Sequence, residues 1–415
     1  MHVAIVGAGI VGVSTAIWLQ RAGARVTLID REGPAAGTSH GNAGVLAAAS
    51  VVPIPVPGLL AKAPRMLLDP NQPLFLRWRY VPRLLPFLAP YLRSARDHER
   101  IGDALSLLLH DTYEQHVALA HGTGAERFLH ASDYVFGYAS REAFEKDAGA
   151  WKARRRRGHP FEVVEDVGNY DPALEGRFGL LVVCPQHGRV SDPGAYVKAL
   201  ATHAQEQGAT FLRAQVRDLN ERGVVTDDGT VEADHTVVAS GMWSRRLLER
   251  RGVKVPMEAE RGYHLEFVNP SITPHSPVMV AAGKFVLTPM EGRLRAAGIV
   301  EFGGLNDRRS VAPFALLKRQ TLEVLPDLRY DRVDEWMGHR PSTTDSLPLI
   351  GPVGDERSGT KLWVGFGHQH VGLTAGPKTG RWISLMIMGS MPNVDLAPYA
   401  PKRFGARYDQ REQQQ

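Results

Sequence analysis

The chain has 415 residues, 43% of them apolar and 22% charged, with 49 Lys and Arg against 44 Asp and Glu. That composition excludes a disordered chain, a coiled coil and a collagen-like fibre, and a net charge of +5 is too small for a dedicated nucleic-acid binder. It suits an anionic small-molecule substrate better. A single cysteine, Cys184, excludes an internal disulfide and any cysteine-built zinc site, and it fits a reducing compartment. At roughly 150 residues per domain, the length predicts two or three domains or one large body with interleaved parts.

The β-like run His2 to Val6 opens the chain and argues against a signal peptide. Directly after it, Gly7, Gly9 and Gly12 stand in G-x-G-x-x-G spacing before a helical pattern carrying Val13, Ala16, Ile17 and Leu19. One glycine permits a tight turn, one lets backbone approach a pyrophosphate, and one lets helix pack on strand; the helix N-terminus then faces phosphate charge. Gly23 ends the helix, and Arg25 to Ile29 forms a second strand closing on Asp30, a carboxylate placed to accept ribose hydroxyls. The motif predicts a dinucleotide site without choosing between FAD and NAD.

From Gly41 to Ala61 no residue is charged, but Pro53, Pro55 and Pro57 defeat a membrane helix and predict an extended loop. Residues 62–93 follow with Leu74, Phe75, Trp78, Leu84, Leu85 and Phe87 interleaved with Arg65, Arg77, Arg79, Arg83 and Arg93. Such a segment suits either an anionic membrane surface or amphipathic helices with arginines snorkelling outward. Helical patterns cover Ala104 to Leu119 and Arg141 to Arg156, and the basic run Lys152 and Arg154 to Arg157 reads as a solvated helix end. A helix from Gly194 to Gln207, short strands from Phe211 to Val225, a turn at Asp227-Asp228-Gly229 and a buried strand at Thr236 to Ala239 come next. Met257 to Asn306 alternates like sheet, and the polar tail after Pro401 is expected to be loosely held. There is no internal repeat.

Further motifs narrow the class. After Asp30 and Arg31 comes a small-residue loop, Gly37-Thr38-Ser39-His40-Gly41-Asn42-Ala43-Gly44; later come Asp192-Pro193-Gly194, Val237 to Ser244, Arg261-Gly262-Tyr263-His264, Gly338-His339-Arg340-Pro341 and Gly365 to Thr374. In this order the chain resembles the D-amino-acid oxidase-like superfamily of FAD oxidoreductases, and specifically its D-amino-acid dehydrogenase branch. The resemblance implies an α/β fold: a discontinuous Rossmann-type FAD-binding domain (1–50, 184–255 and 330–395) and a second, α+β substrate domain (51–183 and 256–329) on a mostly antiparallel sheet, with a C-terminal tail at 396–415. It implies that Gly7, Gly9, Gly12, Asp30, Arg31, Thr38, Ser39 and Val216 hold the ADP part. Asn42, Ala43, Gly44, Gly367, Gly372, Leu373 and Thr374 are implied around the flavin and its chain, where small residues allow close backbone approach, and Gly241 is implied as a further cofactor-binding residue. Relatives that tether flavin do so through a cysteine in this region; none is there, so non-covalent FAD is expected.

For chemistry, the resemblance places Arg340 at the substrate carboxylate, which a planar guanidinium grips by two hydrogen bonds. The alternative is an Arg paired with Asp345 or Glu335. Tyr263 and His264 are implied on the substrate side, the phenol as a second carboxylate donor and the imidazole as an amine acceptor or relay; either is equally readable as a satisfied core residue. His40, His368 and His370 carry the same ambiguity, and His368-x-His370 lacks a third ligand for a metal. The expected reaction is oxidative deamination of a D-amino acid, including cyclic ones such as D-proline or hydroxyproline, with hydride transfer from Cα to flavin N5 and hydrolysis of the imino acid to a 2-oxo acid. Glycine or N-alkyl amino acid oxidation, 2-hydroxy acid dehydrogenation, and a non-catalytic electron-relay subunit are the alternatives. Quinone or another electron acceptor, a cytoplasmic location and a peripheral seat on the inner membrane face complete the expectations; no nucleic-acid partner is expected.

Overall fold

In the computed structural model, which describes residues 1–54, 71–354 and 361–404, the chain opens with strand β1 (His2–Val6), helix α1 (Ile10–Arg21) and strand β2 (Arg25–Asp30). β1 lies inside a six-stranded sheet ordered Leu349–Pro352, Leu362–Phe366, His235–Val238, β1, β2, Thr210–Arg213. Neighbours in it are parallel except Leu349–Pro352, which runs antiparallel at the edge. Parallel strands covered on both faces carry continuous apolar runs, and Val3 to Val6 are all buried. Helix α1 packs against the Gly372–Ile387 helix, where a Cβ on Gly380 would stand 2.6 Å from Thr15 N.

A second sheet carries ten strands. Eight follow the order Arg332–Thr343, Met257–Val268, Arg293–Phe302, Phe285–Met290, Val278–Val280, Leu129–Tyr138, Leu180–Val190, Val45–Leu46, with Leu74–Leu76 and Glu162–Val164 attached at its side. Its pairings are antiparallel except Val278–Val280 with Leu129–Tyr138 and Leu74–Leu76 with Arg293–Phe302. The α/β class with a mostly antiparallel second sheet is therefore what the chain adopts. The division along the sequence is finer than expected: Leu180–Val190 runs straight through residue 184, and Arg332–Thr343, assigned to the nucleotide part, is an edge strand of the ten-stranded sheet. Edge strand Arg332–Thr343 thus carries Arg340 on the second sheet.

Two other expectations change. Arg154 and Arg157 are not a solvated helix end: the Arg154 guanidinium lies 4.6 Å from the Trp151 ring centre and donates to Ala49 O, and Arg157 pairs with Asp103 and Glu99. The tail is docked as far as Phe404, with Tyr399 fully buried and Arg403 gripping Asp345 at 2.7 and 3.1 Å. Residues 405–415 lie outside the described residues, as do Pro55, Pro57 and Arg65. In the basic apolar segment, helix Val81–Ser94 buries Leu84, Phe87 and Tyr91 against Phe302 and leaves Leu85 and the preceding Trp78 57% and 65% exposed. Among the described residues no helix is long and apolar enough to cross a membrane.

Candidate active site

One cavity of about 870 Å³ runs from the glycine turn to the Arg332–Thr343 strand. At its nucleotide end Gly7 has φ +107°, and a Cβ there would come 2.6 Å from Ala239 O. Only a glycine permits both the left-handed turn and this approach. Gly12 does not reach the cavity: its missing Cβ would fall on Gly7 O, so its part is to seat α1 on the turn. Asp30 Oδ2 accepts from Ala8 N at 2.9 Å, and Oδ1 accepts from Glu32 N and Gly33 N, which fixes the carboxylate at the cavity wall. Ser39 Oγ accepts from Ile10 N at 3.0 Å. No acidic side chain stands in the first turn of α1 and Gly9 provides no side-chain cap, so that end of the helix presents its dipole to the cavity.

These residues fit the pyrophosphate and ribose of FAD. Gly7, Gly9, Asp30, Arg31, Thr38, Ser39, Val216 and Gly241 all line the cavity. Arg31 lies over the Trp243 ring, 4.2 Å from its centre, and both residues line this cavity.

Asn42, Ala43, Gly367, Gly372 and Leu373 line the same space, and the loop that carries the first two is held from beneath. Arg295, fully buried, donates to His40 O at 3.1 Å and to Asn42 O, and pairs with Glu266 at 2.7 Å. Asn42 Oδ1 accepts from Gly44 N at 2.9 Å. Gly44 and Thr374 sit behind the wall rather than on it: a Cβ at Gly44 (φ +76°) would lie 2.7 Å from Val190 O, and Thr374 Oγ1 donates to Val45 O. Cys184 is buried in the second sheet away from the cavity, so no cysteine is placed to tether a flavin.

Arg340 borders the other end of the cavity. Strand alternation puts residues 336, 338 and 340 on one face, opposite 264, 262 and 260 of the Met257–Val268 strand. Arg340 lies across Gly262, where a Cβ would come 2.6 Å from its Nε, and Trp336 lies across Gly338 and Gly41. Half-buried, Arg340 makes no hydrogen bond or ion pair with any described residue, and Asp345 is committed to Arg403. The acid opposite it is Glu260, its direct partner across the strands, 3% exposed and on the same cavity wall. Burial pushes the Glu260 carboxyl up, against the pull of Arg340. His370 is exposed into the cavity, while His368 donates to or accepts from Thr379 Oγ1 at 2.9 Å and is held at about 3 by burial.

Tyr263 and His264 are not on the cavity wall. Tyr263 occupies the opposite face of its strand: its hydroxyl donates to Glu301 at 2.6 Å and its ring meets Phe314 edge-on. His264 stacks on Trp336 at 5.1 Å with Nδ1 3.1 Å from Gly41 O. Burial, then Arg295, holds its pKa well below the ordinary value, so it is a neutral support for Trp336 and the flavin loop. Glu260 and Trp336 are the site residues that the sequence reading missed. Their signal was present in alternation, since both fall two or four residues from Gly262 or Arg340 on the same face.

Residues 2–386 match the family model DAO, FAD dependent oxidoreductase. The chain belongs to this family. It is 38% identical to the D-amino-acid oxidase of Bradyrhizobium diazoefficiens over 97% of this chain and 99% of that one, and 31% identical to the D-amino acid dehydrogenase of Rhizobium rhizogenes over 98% and 100%. Among solved structures, glycine oxidase from Geobacillus kaustophilus superposes with a TM-score of 0.73 at 23% identity over 97% of this chain and 98% of that one. L-proline dehydrogenase from P. horikoshii gives 0.73 at 18% identity over 97% of both chains. This DAO-family member is thus an FAD-dependent oxidoreductase of the D-amino-acid oxidase and dehydrogenase type. Its cofactor is FAD.

Proposed function

We propose that the protein oxidises the Cα–N bond of a D-amino acid. The carrying observation is the Arg340 guanidinium, which borders the cavity opposite Glu260 and closes no hydrogen bond or ion pair with any described residue. Its donors are therefore open to a ligand, and a substrate carboxylate takes both prongs of the fork. Trp336 packs beside it on the same strand face and supplies an apolar wall. FAD, when bound, supplies the acceptor for the Cα hydride. The protein's own part is to anchor the carboxylate, to orient Cα, and to favour the neutral amine by desolvation next to a fixed positive charge. The imino acid then hydrolyses to a 2-oxo acid, or persists as a cyclic imine where the substrate is D-proline or hydroxyproline.

Glycine and N-alkyl amino acids, or 2-hydroxy acids, would use the same carboxylate anchor; the names of the D-amino-acid oxidase and dehydrogenase relatives favour the first reading. Anaerobic bleaching of the bound flavin by a panel of D- and L-amino acids, sarcosine and 2-hydroxy acids tests it. D-amino acids are expected to bleach fastest, and Arg340→Met is expected to abolish bleaching with FAD retained. Bleaching by 2-hydroxy acids alone, or near-normal turnover by Arg340→Met, would sink it.

For reoxidation, we propose quinone or a membrane chain as acceptor, from a cytoplasmic protein seated peripherally on the inner membrane face. Exposed Trp78 and Leu85 beside Arg79 and Arg83 support that seat. Sedimentation with anionic vesicles should carry the protein down at low salt, and Trp78→Ser with Leu85→Ser should leave it in solution.

A further inference from the structure

Glu260 and Arg340 are cross-strand partners on one wall of one cavity, and neither forms an ion pair with any described residue. A buried carboxyl beside a substrate anchor is not needed to hold FAD. We propose that Glu260 receives the proton that leaves the substrate's α-ammonium, an inference that rests on the amino-acid reading above and on Arg340 holding the α-carboxylate.

Charge balance argues for it. Without substrate, an ionised Glu260 offsets Arg340. A zwitterionic amino acid brings one carboxylate to the guanidinium and one ammonium within reach of the carboxyl, so four charges cancel in pairs. Occupied by the substrate carboxylate, Arg340 stabilises ionised Glu260 less, and the carboxyl becomes a stronger base as the amine needs to lose its proton. One N–H bond of the ammonium breaks, its electron pair stays on nitrogen, and an O–H bond forms on Glu260. What remains is a neutral amine, a neutral acid and the Arg340–carboxylate pair, with FAD the oxidant for the following hydride loss.

The surroundings of Glu260 supply no rival. On its own strand stands Glu258, bonded to Tyr80 at 2.9 Å, whose charge opposes ionisation of Glu260. The Arg332–Thr343 strand contributes Arg340 and Ser342, whose hydroxyl favours the charged form without closing a hydrogen bond of normal geometry. The other flanking strand places Phe302 opposite. Helix Val81–Ser94 turns Tyr91 towards it, buried and held protonated. His370 faces the same cavity from the loop after Leu362–Phe366, on the Arg340 side, where the guanidinium works against a second positive charge on its imidazole.

Two measurements on the holoenzyme test this. Benzoate, a carboxylate without an amine, is titrated by flavin absorbance and by calorimetry in buffers of different ionisation enthalpy. Wild type is expected to take up one proton on binding, its affinity falling about tenfold per pH unit rise through the window between the free and bound pKa of Glu260. Glu260→Gln is expected to bind benzoate without proton uptake. In anaerobic bleaching at neutral pH, Glu260→Gln is expected to lose about 100-fold and to recover as pH rises and free amine becomes available, with Glu260→Asp intermediate. Wild-type benzoate binding without proton uptake overturns the proposal, whether or not the variants retain FAD. So does a Glu260→Gln pH profile that matches wild type. If no amino acid bleaches the wild type, the amino-acid reading itself has failed, which is a different result.

Discussion

Gly262 and Arg340 share one space: a Cβ on the glycine would stand 2.6 Å from the arginine Nε and 2.7 Å from its Cζ. The neighbouring pair repeats the pattern, with Trp336 lying over Gly338. Register partners Gly262 and Gly338 thus give the cavity a flat floor on which a guanidinium and an indole lie. Gly262→Ala suits an extended strand, so folding should change little, but the guanidinium must move. Displacements near 1 Å at a reacting site cost up to about 100-fold. The expected outcome is KM for the amino acid raised at least tenfold with FAD content and melting temperature near wild type; an unchanged KM would mean that the anchor is elsewhere.

Gly7→Ala tests the other end. The turn has φ +107° and backbone atoms of Ala239 and Ser240 within 2.8 Å of the missing Cβ, none of which can rotate away. Strain and overpacking together cost on the order of 3 kcal/mol. Purified variant should be colourless or nearly so, with a lowered melting temperature. Flavin absorbance per mole of protein reads the result.

The nucleotide half was the more legible because its chemistry is local. Gly7, Gly9, Asp30 and Ser39 lie within 33 residues of each other, and backbone turns carry their roles. The substrate half depends on which face of a strand a residue occupies, and that is set by pairing across 76 or 80 positions, as for Gly262 with Gly338 and Glu260 with Arg340. A motif reading of Arg261-Gly262-Tyr263-His264 cannot tell that Gly262 looks at the cavity and Tyr263 at Phe314. Nor does it reveal Arg295, whose task is to hold loop carbonyls more than 250 residues away.

His116 and His368 give a pH dependence of stability. His116 is fully buried between Tyr196 OH and Leu373 O and is lowered to about 4; His368 is lowered to about 3, both by burial. The folded state therefore keeps them neutral while the unfolded chain protonates them near 6.5. Below that value the unfolded state binds more protons, so stability falls as pH drops from about 6.5 towards the folded values, by about 1.4 kcal/mol per unit for each histidine. Above 6.5 these two contribute no slope. Urea midpoints measured across that range should fall less steeply in His116→Gln than in wild type.

Tyr263 offers the sharpest contrast between motif and geometry. Its hydroxyl is one of four groups on the buried carboxyl of Glu301, together with Arg261, Arg77 and Ser310. Removing it leaves Glu301 with three donors and no empty volume of consequence, since the ring and its contact with Phe314 remain. Loss of one hydrogen bond to a charged group costs about 1.5–3 kcal/mol. Tyr263→Phe should therefore lower the unfolding free energy by about that much while leaving KM for the amino acid within a factor of about 2, whereas a phenol that held the substrate carboxylate would raise KM by tenfold or more on removal. Steady-state kinetics beside denaturant unfolding of the same preparation separates the two, because the face of the strand decides whether this side chain acts on substrate or on the network behind it.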